Sequence, residues 1–182
     1  HPNCSNNDFA PWALKQHRGK LYLGVVCTAE TSQDTNDLKA AVYIFDAKLD
    51  KFTKILEFPL NFKRDPEDAT GPDCFKYNRW YPWTNKFPQS CSGIGYGPNF
   101  VMYPQPILGD IEFDEDGSML LGFIDRFGLQ SGQAQYGLAQ SDTTHYYGFM
   151  GGDLYRAQLT KTGFVLESNG KSGNYVGCGV GK

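Results

Sequence analysis

The side chains that most often carry metal or redox chemistry are scarce in this 182-residue chain: three histidines, three methionines and no C-x-x-C pair. The five cysteines, at 4, 27, 74, 91 and 178, are spaced too widely for a zinc ribbon or a thioredoxin-type motif. No apolar run approaches the ~20 residues that a membrane helix needs, so no membrane span is expected. G-x-S-x-G, H-E-x-x-H and a phosphate-cradling glycine loop are all missing, and neither a cofactor nor a metal is expected. Lys plus Arg number 17 and Asp plus Glu 20, giving 17 − 20 = −3 and no basic face, which excludes nucleic acid as a partner.

What the chain does have is aromatics, at 15%, and 21 glycines, a mixture that suits short strands joined by turns and suits helices poorly. The clearest segment is 110–125. Ile111 and Phe113 alternate with Glu112 and Asp114, the period of a half-buried strand. Glu115-Asp116-Gly117 follows as a tight turn and Met119–Ile124 as a strand buried on both faces. Together they read as a hairpin, and the plain turn is preferred to a calcium loop at Asp114 and Asp116, because Ca²⁺ asks for 6–8 oxygens.

The hairpin occurs twice. Shifted by 98 positions, Gly19 falls on Gly117, Leu21 on Met119, Leu23 on Leu121, Gly24 on Gly122 and Val25 on Phe123. Near a shift of 112, Ala41–Asp46 falls on Asp153–Ala157 and Phe52–Glu57 on Phe164–Glu167. A four-stranded antiparallel unit written twice resembles a pair of β-propeller blades, with a plain β-sandwich as the alternative. The chain is thus expected to be one all-β domain over 1–182, with blade-like units at 11–58 and 108–168 and a long insertion at 61–105. Propellers close with ~4–8 blades, so the missing ones are expected from an upstream segment or a partner chain.

Connection lengths add a direction. In an up-and-down unit the first-to-second and third-to-fourth connections share one end, and here these are short (17–19, 47–51, 115–117, 159–162). The long ones (29–39, 59–107, 127–151) all belong to the opposite end. Loops beyond ~12–15 residues are usually functional or disordered, so binding is expected at the long-loop end.

Pro11–Ser32 and Tyr103–Gly128, with Gly151-Gly-Asp-Leu-Tyr-Arg156, resemble a region of large secreted bacterial cell-surface proteins. In those a propeller-like region commonly precedes immunoglobulin-like repeats and a C-terminal sorting or anchoring segment. The resemblance covers most of the chain outside 61–102 and implies an extracellular or cell-surface location within a longer propeller. It carries no established catalytic residues.

Disulfides agree with such a location, and Cys74–Cys91 and Cys4–Cys27 are the expected pairs, with Cys178 left free or bonded to a partner chain. Tyr77, Trp80, Tyr81 and Trp83 are candidates for a stacking platform toward a glycan or a protein, or for a small core under the long loop. Asp125 and Arg126 close the buried second strand at the long-loop end, either as a site or as an internal ion pair holding 127–151. His145 and Tyr146 are further binding candidates on the same end. The favoured reading is a non-enzymatic surface module that binds a glycan or protein partner or serves as a structural element. The alternative is a secreted polysaccharide-active enzyme with its site on the long-loop face. A copper site on His1 with His17 or His145 is a third and weaker reading.

Overall fold

The computed structural model describes residues 2–64, 78–86, 99–137 and 139–176. Its strands, in chain order, are β1 (Phe9–His17), β2 (Lys20–Cys27), β3 (Lys39–Asp46), β4 (Lys51–Pro59), β5 (Phe100–Val101), β6 (Pro106–Phe113) and β7 (Met119–Asp125). After the short helix α1 (Arg126–Ser131) come β8 (Gln135–Tyr136), β9 (His145–Gly148), β10 (Asp153–Thr160), β11 (Gly163–Leu166), β12 (Lys171–Ser172) and β13 (Tyr175–Val176). The architecture is all-β, built on two four-stranded antiparallel sheets with orders β1-β2-β3-β4 and β6-β7-β10-β11.

Local chemistry makes the hairpins. Arg18 and Gly19 both take positive φ, 47° and 74°, which matches the twist of a two-residue turn between β1 and β2. Between β6 and β7, Gly117 sits at φ 82°. Its amide donates to the Asp114 carbonyl, while the Asp116 carboxylate accepts from the Ser118 amide. This is the expected turn. Both aspartates are taken up by Arg156 of β10, whose Nη2 lies 3.0 Å from Asp114 Oδ2 and 2.6 Å from Asp116 Oδ2.

One apolar core lies between the sheets, with β1 against β6 and β4 against β11. The first sheet contributes Tyr22, Val26, Ala40, Val42, Leu56 and Phe58; the second contributes Leu108, Ile111, Met119, Leu121, Phe123 and Tyr155. Gly24 is where the sheets come closest, because a Cβ there would stand 2.6 Å from Leu108 Cδ2. Only glycine leaves room for the leucine.

The registers bear out the repeat. Leu23 pairs with Tyr43 as Leu121 pairs with Tyr155, and Val25 with Ala41 as Phe123 with Asp153. The two copies nevertheless turn different faces to the core. Leu121, Phe123 and Tyr155 point into it, whereas their counterparts Leu23, Val25 and Tyr43 lie on the outward face of the first sheet. The inward face of the first sheet is the one carrying Tyr22, Gly24 and Val26. The sheets are therefore stacked in the same sense, front of the second on back of the first, and not as mirror-like halves. Among the described residues they remain an open pair, with no ring closed around them.

Cys4 and Cys27 form the expected disulfide, Cα–Cα 5.3 Å, tying the N-terminal segment to the end of β2. Cys74, Cys91 and Cys178 lie outside the described residues.

Candidate functional site

The long connections do meet at one end. The Trp83 amide donates to the Thr28 carbonyl, the Gln33 side chain to the Trp83 carbonyl, and the Tyr81 amide to the Pro104 carbonyl. Arg126 adds bonds to Gln105 Oε1 (2.8 Å) and Asn85 Oδ1 (2.8 Å). These joints bind the 28–38, 78–86, 99–105 and 126–152 connections into one layer over the core.

Asp125 holds the layer at its base. It is fully buried and stands at the end of β7, where β structure passes directly into α1. Its Oδ1 accepts from the amides of Gln105 and Phe127, both at 2.9 Å, and its Oδ2 from the amide of Gly151 at 3.2 Å. The Phe127 bond is an N-cap, which satisfies one of the orphan amides of the helix. Burial pushes the carboxyl pKa up, and the amides of Gln105 and Gly151 oppose that shift. So Asp125 does tie down the 127–151 loop, but through backbone amides. The internal ion pair with Arg126 is not what does it.

A second knot lies deeper. Trp80 is fully buried, its indole N–H donates to the Tyr155 hydroxyl (3.1 Å), and Arg64 lies 3.7 Å above its ring. The Tyr155 hydroxyl donates to Asp153 Oδ2 at 2.6 Å, and Arg64 Nε bonds the same oxygen at 3.1 Å. Arg64 also reaches the carbonyls of Gly151 and Gly152. Burial, followed by the Asp153 charge, raises the Tyr155 pKa. This corrects the platform expectation for Trp80: its ring is a core element holding loop to sheet, with no face left for a ligand. Tyr77 lies outside the described residues.

Tyr81 and Trp83 behave differently. Both are half-buried at the surface of the layer. Tyr81 stacks on Tyr103, centroids 4.5 Å apart, and burial raises the pKa of both phenols. Trp83 anchors its indole N–H on the Pro106 carbonyl (2.8 Å) and carries the Arg126 guanidinium 4.7 Å from its ring centroid. Arg126 is partly desolvated, which lowers its pKa, while Glu30 acts in the opposite sense. Gln105 orients both neighbours, accepting from the Thr84 amide and from Arg126. The result is a half-exposed surface of flat rings and fixed donors. Tyr103 belongs to it and the fully buried Gln105 lies beneath it, although sequence reasoning passed over both; Tyr103-Pro-Gln-Pro106 leads into β6, so position in the fold was the available signal.

His145 and Tyr146 lie apart, in β9, which pairs with β8 and β5. His145 is exposed beside Tyr136 (centroids 4.6 Å), and the Tyr146 hydroxyl donates to Asp142. They belong to the β5-β9-β8 sheet, whereas Tyr81 and Trp83 belong to the 78–86 connection and Arg126 to α1. The copper reading depends on His1, which lies outside the described residues. His17 ends β1 at the tight-turn end, stacked 4.0 Å from Phe113, whereas His145 is in the loop layer at the other end. The two histidines offered as alternative second ligands thus stand at opposite ends of the described fold.

Fold and site together define an all-β module with an aromatic, arginine-bearing loop layer at one end. No family model matches the chain, and no solved structure matches it. Among curated proteins it is similar to colossin-A of Dictyostelium discoideum, 29% identical over 171 residues, covering 94% of this chain and 1% of that protein. It is also similar to colossin-C of the same organism, 24% identical over 182 residues, covering 99% of this chain and 15% of that protein. The chain thus spans a small part of the length of either relative. Neither comparison bears on the bacterial surface proteins that the sequence resembles.

Proposed function

We propose that the chain is an extracellular β module whose two sheets are blades of a larger propeller-like assembly, with partner binding at the long-loop end and no covalent chemistry of its own. The observation that carries this reading is the same-sense stacking of the sheets, front of one on back of the next, which is how successive blades pack. The Cys4–Cys27 disulfide agrees with an oxidising compartment outside the cytosol, and no helix among the described residues is long and apolar enough to cross a membrane.

At the loop end, the ring pair Tyr81–Tyr103 and the Trp83–Arg126 pair suit a glycan, since flat amphipathic rings cover a sugar face at low entropy cost and the guanidinium and amides reach its hydroxyls. Asp125, Asp142 and Asp153 are buried or half-buried carboxylates of this end, and all three are engaged by amides, Tyr146, Arg64 or Tyr155. That favours binding over hydrolysis. The test is a fluorescence titration of the chain with a panel of soluble oligosaccharides. Binding that weakens at least tenfold in Trp83→Ala and Tyr81→Ala supports the reading, and release of new reducing ends that depends on loop-layer carboxylates contradicts it.

A further inference from the structure

The outward face of the first sheet carries an apolar patch over β1, β2 and part of β3, bounded by Gln16, Lys39 and the Lys54–Glu57 ion pair, which share that face by register. Phe9, Pro11, Leu14, Leu23, Tyr43 and Phe52 all lie on it by register, alternating with the core-facing residues. Leu14 is 63% and Phe52 52% exposed. Pro2, Phe9, Pro11, Leu23, Val25, Tyr43 and Phe52 enclose a groove of about 320 Å³ on it. A single exposed leucine is ordinary, but a contiguous apolar face of this kind marks an interaction surface.

The repeat says what kind of surface fits. Position for position, Leu23, Val25 and Tyr43 are the counterparts of Leu121, Phe123 and Tyr155, which are buried against the back of the first sheet. What seats on those three is the row Tyr22, Gly24, Val26 and Val42. The same row recurs on the outward face of the second sheet as Leu120, Gly122, Ile124 and Leu154, and Leu154 is 63% exposed. The hairpin β12–β13 lies over Arg156 farther along that face, with Tyr175 5.1 Å from the guanidinium. One molecule therefore carries outward the counterparts of both rows it already packs internally, with Asp110 beside Gly122 and Arg156 beside Leu120 where the first sheet has Ala13 beside Gly24 and Ile44 beside Tyr22.

We propose that a second copy of this chain stacks head to tail on the first, its Leu120–Gly122–Ile124–Leu154 row seated on the Leu23–Val25–Tyr43 face. Two such faces on one molecule make a heterologous contact, which closes into a ring if the rotation allows and otherwise runs on as a filament. With two sheets per chain, a ring of ~4–8 blades takes two to four copies. The inference rests on the blade reading above and names the partner that completes it.

The test is the solution mass of the 182-residue chain by light scattering and native mass spectrometry, with Leu23→Lys and Leu154→Lys as variants on opposite faces. The expected result is a discrete multiple of 20.3 kDa that falls to the monomer in either variant alone. An equimolar mixture of the two variants should recover a dimer and nothing larger, since each retains one competent face. Leu154 is too exposed for its substitution to threaten folding. A wild-type monomer at all concentrations up to about 100 µM overturns the proposal, and so does a Leu154→Lys variant that still self-associates through Leu23. A monomer whose oligosaccharide binding still depends on Trp83 sinks the stacking alone, whereas an oligomer with no such binding sinks the loop-end reading alone.

Discussion

Replacing Asp125 with Asn keeps the shape of the side chain and removes one acceptor oxygen. In the native protein three amides converge on the carboxylate, from Gln105, Phe127 and Gly151. Asn can still accept from the first two through Oδ1, but its NH2 then faces the Gly151 amide, donor against donor. A buried donor without an acceptor costs about 1–3 kcal/mol. Part of that is offset because the charge of Asp125, disfavoured by burial, is gone. The net expected for Asp125→Asn is about 2 kcal/mol. For Asp125→Ala all three amides are orphaned and the N-cap is lost, and the cost rises to roughly 4 kcal/mol. For a chain of this size 1 kcal/mol moves Tm by about 2–4 °C, so the two variants should melt about 4–8 °C and about 8–16 °C below wild type. Calorimetry reads the shift. Hydrogen exchange should localise the loosening to 126–152, with β2 and β3 unchanged. An alanine variant that melts within about 2 °C of wild type would show that Asp125 does not hold the loop layer, and the account of that layer would fail.

Further predictions concern other joints. Reducing Cys4–Cys27, separated by 23 residues, should lower stability by about 3 kcal/mol through the freed loop entropy, read as a lower Tm in reductant; an unchanged melt would show the bridge to be idle. Gly24→Ala should cost about 1–3 kcal/mol, because the new methyl meets Leu108 and Ala13 within 3 Å, and equilibrium urea unfolding will report it as a lower midpoint at constant m. The Ser118 amide, then Arg156, hold Asp116 down to a pKa of about 2. A carboxyl depressed in the folded state stabilises above its unfolded pKa of about 4 and loses that contribution as pH falls toward about 2. Asp116→Asn should therefore flatten the acid side of the Tm–pH curve in that window, and a curve parallel to wild type would contradict the assignment.

Seven of the eight strands of the two large sheets were legible because they alternate or run apolar between turn residues, as Ile111-Glu-Phe-Asp114 does before Gly117, and the four-residue β11 was found through its match to β4 in the repeat. Their pairing order followed from the repeat. The facing was not legible, since Leu23 and Leu121 are the same residue at the same register, and only the neighbour that each meets decides which is core. Helix α1 was hidden by Gly128 within its six residues and by dependence on an N-cap from the preceding strand. The strands β5, β8, β9, β12 and β13 are two to four residues long, too short to establish a period. At the site, Trp80 and Trp83 look alike in Tyr77-Asn-Arg-Trp-Tyr-Pro-Trp83, yet one is sealed under Arg64 and the other opens to Arg126. That difference is set by Arg64 and Arg126, which lie 16 and 43 residues from the respective tryptophans and which the local sequence does not announce.

The same-sense stacking of one sheet on the next, inside the molecule and between molecules, is tested most directly by a cysteine pair at Pro11 and Gly122. Pro11 occupies on the first sheet the place that Leu108 occupies on the second, and Gly122 the place of Gly24, whose added Cβ would touch Leu108. A side chain at 122 meets nothing nearer than Asp110 Cβ at 3.6 Å, so cysteine fits there. On mild oxidation the double variant should form intermolecular cross-links in a ladder of whole chains, while Pro11→Cys and Gly122→Cys alone give no more than the wild type. Cross-linking by the double variant at the single-variant level would contradict head-to-tail stacking.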